Sequence, residues 1–163
     1  MWSTNWKLAI GVLLAFLAVP AWGALPPEQS AQAQPGTPNY VEGDVAIGSN
    51  AITEYSIGKA KLDAGQTLTT RTGKAEILLT RGVSLRVGDH SSVTMSSPSL
   101  SDTEVGLNQG QATVEVTDIY PQNNIQITED GANTQLMKTG LHDFDTNQNQ
   151  VPLDSVIILK RTA

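Results

Sequence analysis

Residues 73–95 read GKAEILLTRGVSLRVGDHSSVTM, with Ala75, Ile77, Leu79, Val83, Leu85, Val87, Val93 and Met95 all at odd positions among mostly polar neighbours. Successive side chains of a β-strand point to opposite faces, so one parity marks one buried face, and a slip of one residue would expose the whole set. The pattern lapses at Arg81-Gly82 and at Asp89-His90-Ser91, both rich in turn-forming residues. The stretch therefore predicts consecutive antiparallel strands over Lys74 to Thr80, Val83 to Gly88 and Ser92 to Ser96, facing one core. Leu78 breaks the parity and is expected to cover a contact on the outer face.

The same period continues on both sides. Tyr40 to Ile47 predicts a first strand, bent or turned at Gly43-Asp44, and Ala64-Gly65 turns the chain into TLTT. Thr103 to Leu107 and Gln111 to Thr117 flank Asn108-Gln109-Gly110, a hairpin signal. NIQIT, NTQLMK, LHDFDT and SVIILK follow. About ten short strands spaced by roughly 8 to 12 residues predict an all-β fold, an antiparallel β-sandwich or β-roll. No segment after the leader has the 3.6-residue period of an amphipathic helix. The expected core is Ala75, Ile77, Leu79, Val83, Leu85, Val87, Val105, Leu107, Ala112, Val114 and Val116.

The chain has 163 residues. Its start reads as a secretory leader: Lys7 carries the positive charge, Leu8 to Val19 is apolar apart from Gly11, and Ala21 and Gly23 are the small residues a signal peptidase reads. A retained anchor is the competing reading, but a spanning helix needs about 20 apolar residues and this run supplies roughly a dozen. Cleavage is expected after Gly23, with Ala31-Gln32-Ala33 a less favoured site. The expected organisation is a signal peptide over 1–23, a flexible Pro/Gln/Ala linker over 24–38, and a β domain over 39–163. A periplasmic or secreted location follows, with no stable membrane insertion after cleavage.

All three Trp precede residue 24, and beyond it nine basic residues face 16 acidic ones, a net charge of −7. Such a domain lacks the basic stripe that nucleic acid requires, and anionic lipid headgroups are disfavoured for the same reason. There is no Cys, so thiol, disulfide and Cys-zinc chemistry are excluded.

Gly65, Leu68, Thr69, Gly73, Ala75, Ile77, Leu79, Gly82, Val83, Leu85, Val87, Ser92, Val93, Val105, Leu107, Gly110, Ala112, Val114 and Val116 follow one pattern, AGQTLTTRTGKAEILLTRGVSLRVGDHSSVTM and then EVGLNQGQATVEV. Over roughly residues 40–146 the chain resembles the FecR-like domain, the periplasmic module of ferric-citrate-type transmembrane regulators, which also occurs alone in exported bacterial proteins. The resemblance implies an all-β domain and a non-enzymatic role in envelope signalling or interaction, and it brings no catalytic residues. Signalling members place an anti-sigma segment and a membrane helix before this domain. Here the leader stands there instead, so the sigma-regulator role is not carried over. VPLDSVIILKRTA also lacks the Asp-Gly turn expected after the Phe144 strand, which predicts a shortened or divergent last strand.

Several residue groups suggest chemistry. Asp89, His90 and Ser91 have the residue types of a hydrolase triad, yet a triad converges from separate parts of a fold and three consecutive turn residues diverge. They are expected to form a solvated turn with local backbone bonds. Asp143, Asp145, Asn147 and Asn149, with Asp154 following, approach a calcium loop, but Gln148 stands where that loop needs Gly and Asp154 where Glu is usual. His90 and His142 lie in different elements without metal-ligand spacing, and both are expected at the surface. Asp102, Glu104 and Glu115 are expected as outward strand charges rather than a glycosidase pair, since only Tyr40, Tyr55, Tyr120 and Phe144 supply aromatic rings after the leader. No catalytic, cofactor or metal residue is assigned. The expectation is a non-enzymatic module that offers a sheet surface or edge to an envelope protein partner, by strand addition among other modes. The alternative is a β domain binding a small ligand or carbohydrate.

Overall fold

The computed structural model describes residues 34–147. The leader with its cleavage sites, most of the linker, Asn149, Asp154 and the expected SVIILK strand lie outside the described residues. Ten strands are present: β1 (Thr37–Ile47), β2 (Asn50–Ile52), β3 (Thr67–Thr80), β4 (Val83–Val87), β5 (Ser92–Pro98), β6 (Asp102–Gln109), β7 (Gln111–Val116), β8 (Asn124–Glu129), β9 (Ala132–Gln135) and β10 (Gly140–Asp145). One 3-10 turn at Glu54–Ser56 is the only helical element among the described residues. The protein is all-β.

The strands form one curled sheet in the order β10-β7-β4-β3-β5-β6-β8-β9, with β1 along the remaining edge of β3 and β2 beside β1. The 14-residue β3 is its spine. Residues Ala75 to Thr80 of β3 pair with β4 and residues Thr67 to Thr69 with β5, so one strand belongs to both halves of the curl. The bend between those halves falls where Gly43 of β1 lies opposite Gly73 of β3. A Cβ on Gly43 would sit 2.2 Å from the Thr72 carbonyl oxygen and one on Gly73 2.5 Å from that of Glu42, so only glycines let the two backbones approach while both strands turn. A register shift between Gly43 and Val45 adds a bulge at the same place.

The odd-position pattern predicts the core accurately. Every residue of the expected core is buried, and Leu68, Val93, Met95, Ile125, Ile127, Leu136 and Phe144 join the same cluster. Each large aliphatic side chain so buried contributes about 1.5–3 kcal/mol. Leu78 stays half-buried on the outer face beside Thr37, Pro38 and Ala60, the outer-face role expected of it. β1 begins at Thr37, inside the expected linker, because Gly36 donates its amide to Leu78 O and accepts the Leu62 amide, both at 2.8 Å.

Three expectations change. The sheet is mixed rather than antiparallel throughout, since β6 and β8 run parallel from Asp102↔Asn124 to Leu107↔Glu129. Asn108-Gln109-Gly110 does not close a hairpin: β6 pairs with β5 and β8, whereas β7 pairs with β4 and β10. The turn chemistry is as expected, with Gly110 at φ +84°, but the chain uses it to cross from one half of the curl to the other. Likewise β4 and β5 both border β3 yet do not pair with each other, so only the Arg81-Gly82 turn makes a hairpin within the opening stretch. Parity reports which face is buried, and two strands in different halves of a curled sheet share that face.

Candidate functional site

Asp89-His90-Ser91 fills the gap between β4 and β5 along the edge of β3. There the bent strand has no neighbour, and its backbone groups need partners. The Thr70 amide donates to Ser91 O at 2.9 Å, Arg71 O accepts the His90 amide at 2.9 Å, and the Gly73 amide donates to Asp89 Oδ1 at 2.9 Å. His90 takes φ +52° to make the crossing and is exposed. Ser91 is not solvated as expected but 1% exposed; its hydroxyl donates to Asp89 O at 2.8 Å and accepts the Gln111 amide at 2.9 Å. Thr70 Oγ1 donates to Gly88 O at 2.5 Å and accepts the Ser91 amide at 3.0 Å. The end of β10 joins this knot, with Thr146 Oγ1 accepting the Gly110 amide at 2.8 Å. Within the triad-like run the Asp89 carboxylate and the Ser91 hydroxyl are engaged by backbone groups, while His90 is exposed.

The other candidates are equally occupied. Asp143 Oδ1 accepts from Thr113 Oγ1 at 2.7 Å, and Asp145 accepts from Gln111 Nε2 and from the Asn147 amide, both at 2.9 Å. Among the described residues no group of three or more His, Asp or Glu side chains could hold a metal ion. His142, expected at the surface, is 7% exposed, because even positions of β10 face the core and place it beside Phe144; its Nε2 lies 3.1 Å from Lys138 O. Asp102 accepts from Asn124 Nδ2 at 2.7 Å, and Glu115 sits in the other half of the curl, where it and Glu76 hold Arg86. Hydrogen bonding to Glu76 first, and the Glu115 charge second, push the guanidinium further above its ordinary range. This pair lies in an outer-face row, Tyr40, Glu76, Arg86, Thr113 and Asp143, set directly across five strands.

Two features of the surface are unassigned by sequence. The first is the free side of β10, which among the described residues pairs only with β7. The Thr146 amide points at Gly110 O, so by alternation the amides of Leu141, Asp143 and Asp145 point away from β7. The Asp145 amide is met by the Glu129 carboxylate from the end of β8. Burial raises the Glu129 pKa above its usual value; the Asp145 amide opposes the shift, and the Asp130 and Asp145 charges add to it. Glu129 Oε1 is buried without a hydrogen-bond partner. Leu141 on this edge is 63% exposed.

The second is a cleft of about 840 Å³ at the opposite end of the sheet from the knot. It lies between the Thr80-Arg81 turn, Pro98 to Ser101, Tyr120 to Asn123, and Gln34, Pro35 and Lys61. Asn123 Nδ2 ties its floor by donating to Thr80 Oγ1 at 3.1 Å and Leu100 O at 2.9 Å. Tyr120 hydrogen-bonds Asp118, which raises its pKa, while the nearby Arg81 charge opposes the rise. Nothing in the sequence period points to this cleft, because apart from the strand ends Thr80 and Pro98 its residues come from connections. Among the described residues no helix is long and apolar enough to cross a membrane. Comparison with protein-family models, curated proteins and solved structures finds no match.

Proposed function

We propose that this chain is an exported FecR-like β domain that works without catalysis, as a protein-interaction or signalling module in the cell envelope. On this reading the curled sheet is a roll with one parallel pair, and the leader delivers it to the periplasm or beyond. The free side of β10 carries the proposal: a six-residue edge with outward amides at Leu141 and Asp143 and an exposed Leu141. An open edge of this kind accepts a strand from another chain, with backbone bonds giving affinity and alternate side chains giving choice. Among the described residues the edges of β9, with four residues, and β2, with three, are shorter, and the outer side of β1 from Thr37 to Asp44, though longer, is interrupted by Pro38 and by two register shifts that make it a poorer template. Asp143 and Asp145 beside Leu141 select a partner strand with basic residues. Asp89 and Ser91, both held within the knot, support the non-enzymatic part of the reading.

Photo-crosslinking in intact cells tests it. A photoreactive residue at position 141 is expected to give an adduct with one envelope protein, while the same group at Glu54 gives none. Asp143→Pro, which removes an outward amide and leaves the ladder to β7 intact, should abolish the adduct with the circular dichroism spectrum unchanged. Equal adducts at both positions, or none at 141, refute the edge. Export is checked separately, since cleavage after Gly23 leaves a chain without Trp, and tryptophan emission from the mature form would show the leader retained.

A further inference from the structure

We infer that the cleft bounded by Arg81, Lys61 and Tyr120 binds an acidic saccharide, a ligand distinct from the strand proposed for β10. The described residues carry seven basic side chains against 14 acidic ones, yet no carboxylate lines this cleft while Lys61 and Arg81 do. Asp63 lies 3.4 Å from Lys61 and shares its charge, and Asp118 bonds Tyr120 just outside the lining; Arg81 makes no salt bridge among the described residues. A cation-lined recess on an acidic domain attracts an anion that the rest of the surface repels. Arg81 supplies the planar fork that suits carboxylate or phosphate oxygens, and Lys61 a second point charge.

The remaining lining selects among anions. Gln34, Ser101 and Gln122 offer amide and hydroxyl groups, and Asn123, whose Nδ2 is engaged by Thr80 and Leu100, offers its Oδ1; these are the complement of sugar hydroxyls rather than of an acyl chain. Tyr120 is 40% exposed and offers a ring for stacking against the apolar face of a pyranose. About 840 Å³ falls within the range of small-ligand sites. No residue of β10 lines the cleft, so the two sites can be tested independently.

Isothermal titration of the full chain, run at low and physiological salt, decides the matter with four probes: a uronic-acid tetrasaccharide, a phosphorylated tetrasaccharide, a neutral hexose tetrasaccharide and inorganic phosphate. At least one acidic sugar is expected to bind tenfold or more tighter than the neutral one and than phosphate, and the ratio of the two acidic sugars identifies the preferred anion. Lys61→Gln with Arg81→Gln should weaken that binding at least tenfold, and Tyr120→Leu severalfold, with circular dichroism unchanged. Neutral and acidic sugars binding alike, phosphate binding as tightly as either acidic sugar, no binding by any probe, or an unaffected Lys61→Gln/Arg81→Gln variant would each overturn the assignment.

Discussion

Gly110→Ala tests the crossing between β6 and β7 and can be separated into its physical causes. Gly110 sits at φ +84°, and an added Cβ would lie 2.3 Å from Ser91 Oγ and 2.8 Å from Ser91 Cα and Cβ. The left-handed backbone alone costs an L-residue about 1–2 kcal/mol, and forcing a methyl into a packed site adds about 1–3 kcal/mol. The sum is about 2–5 kcal/mol, a large part of the roughly 5–15 kcal/mol that holds a domain together. At roughly 4 °C per kcal/mol for a domain of this size, the Tm should fall by about 8–20 °C. Gly131→Ala is the control: its φ is +77°, but nothing lies within 4 Å of the added Cβ, so only the backbone cost applies. Urea unfolding followed by far-ultraviolet circular dichroism measures both. Ser91→Gly, which removes the two nearest side-chain atoms, should then make Gly110→Ala less costly by about 1 kcal/mol or more. A Gly110→Ala loss no larger than that of Gly131→Ala, or strictly additive single variants, would refute the packing of the two crossings against each other.

Thr70→Val deprives Gly88 O and the Ser91 amide of their shared partner, and should cost about 2–4 kcal/mol in urea unfolding, with Thr70→Ser recovering most of it. Glu129 has a folded-state pKa raised chiefly by burial above its usual 4.5. Its contribution to stability is therefore complete below pH 4.5 and lost as pH rises through the raised value. Glu129→Gln should unfold at higher urea than the parent at pH 7, with the gap closing as pH falls below 4.5; a gap independent of pH would remove the basis for this reading. Arg86→Ala breaks two ion pairs on a half-exposed surface, and its cost should stay below about 1 kcal/mol and shrink in salt. A larger loss would mean that the outer-face row is coupled to the core.

Much of the fold is legible in the sequence because alternation is a local consequence of the pleat. Ile77, Leu85 and Val114 announce their burial by parity alone, and the turn residues between them mark where strands stop. Strand adjacency is not local. Asn108-Gln109-Gly110 has the composition of a hairpin, but whether the following strand turns back beside β6 or crosses to β4 depends on which sheet edges are already taken. Nor does composition reveal that Ser91 is buried, since its burial comes from the approach of Gly110 some 20 residues later in the chain. His142 could be placed by parity: it shares its face with Phe144, and a lone imidazole on a core face is most simply a core residue bonded to a nearby carbonyl. The cleft is lined by the ends of β3 and β5 and by connections, where the period gives out.

The two ends of the sheet differ for a physical reason. At one end the chain bends or crosses at residues 70–73, 88–91, 110 and 146, and these segments bond to one another through Thr70, Ser91 and Thr146, so the backbone groups freed by each bend are satisfied by the next. Connections there are short and glycine-dependent, and a ligand would have to break buried hydrogen bonds to enter. At the other end the connection from Ser99 to Ser101 is also short, but that from Thr117 to Asn123 is longer, and Asn123 bonds both Thr80 and Leu100. That arrangement links the two connections at the floor of the cleft. Both proposed binding surfaces, the cleft and the free side of β10, accordingly lie outside the buried hydrogen bonds that engage Asp89 and Ser91.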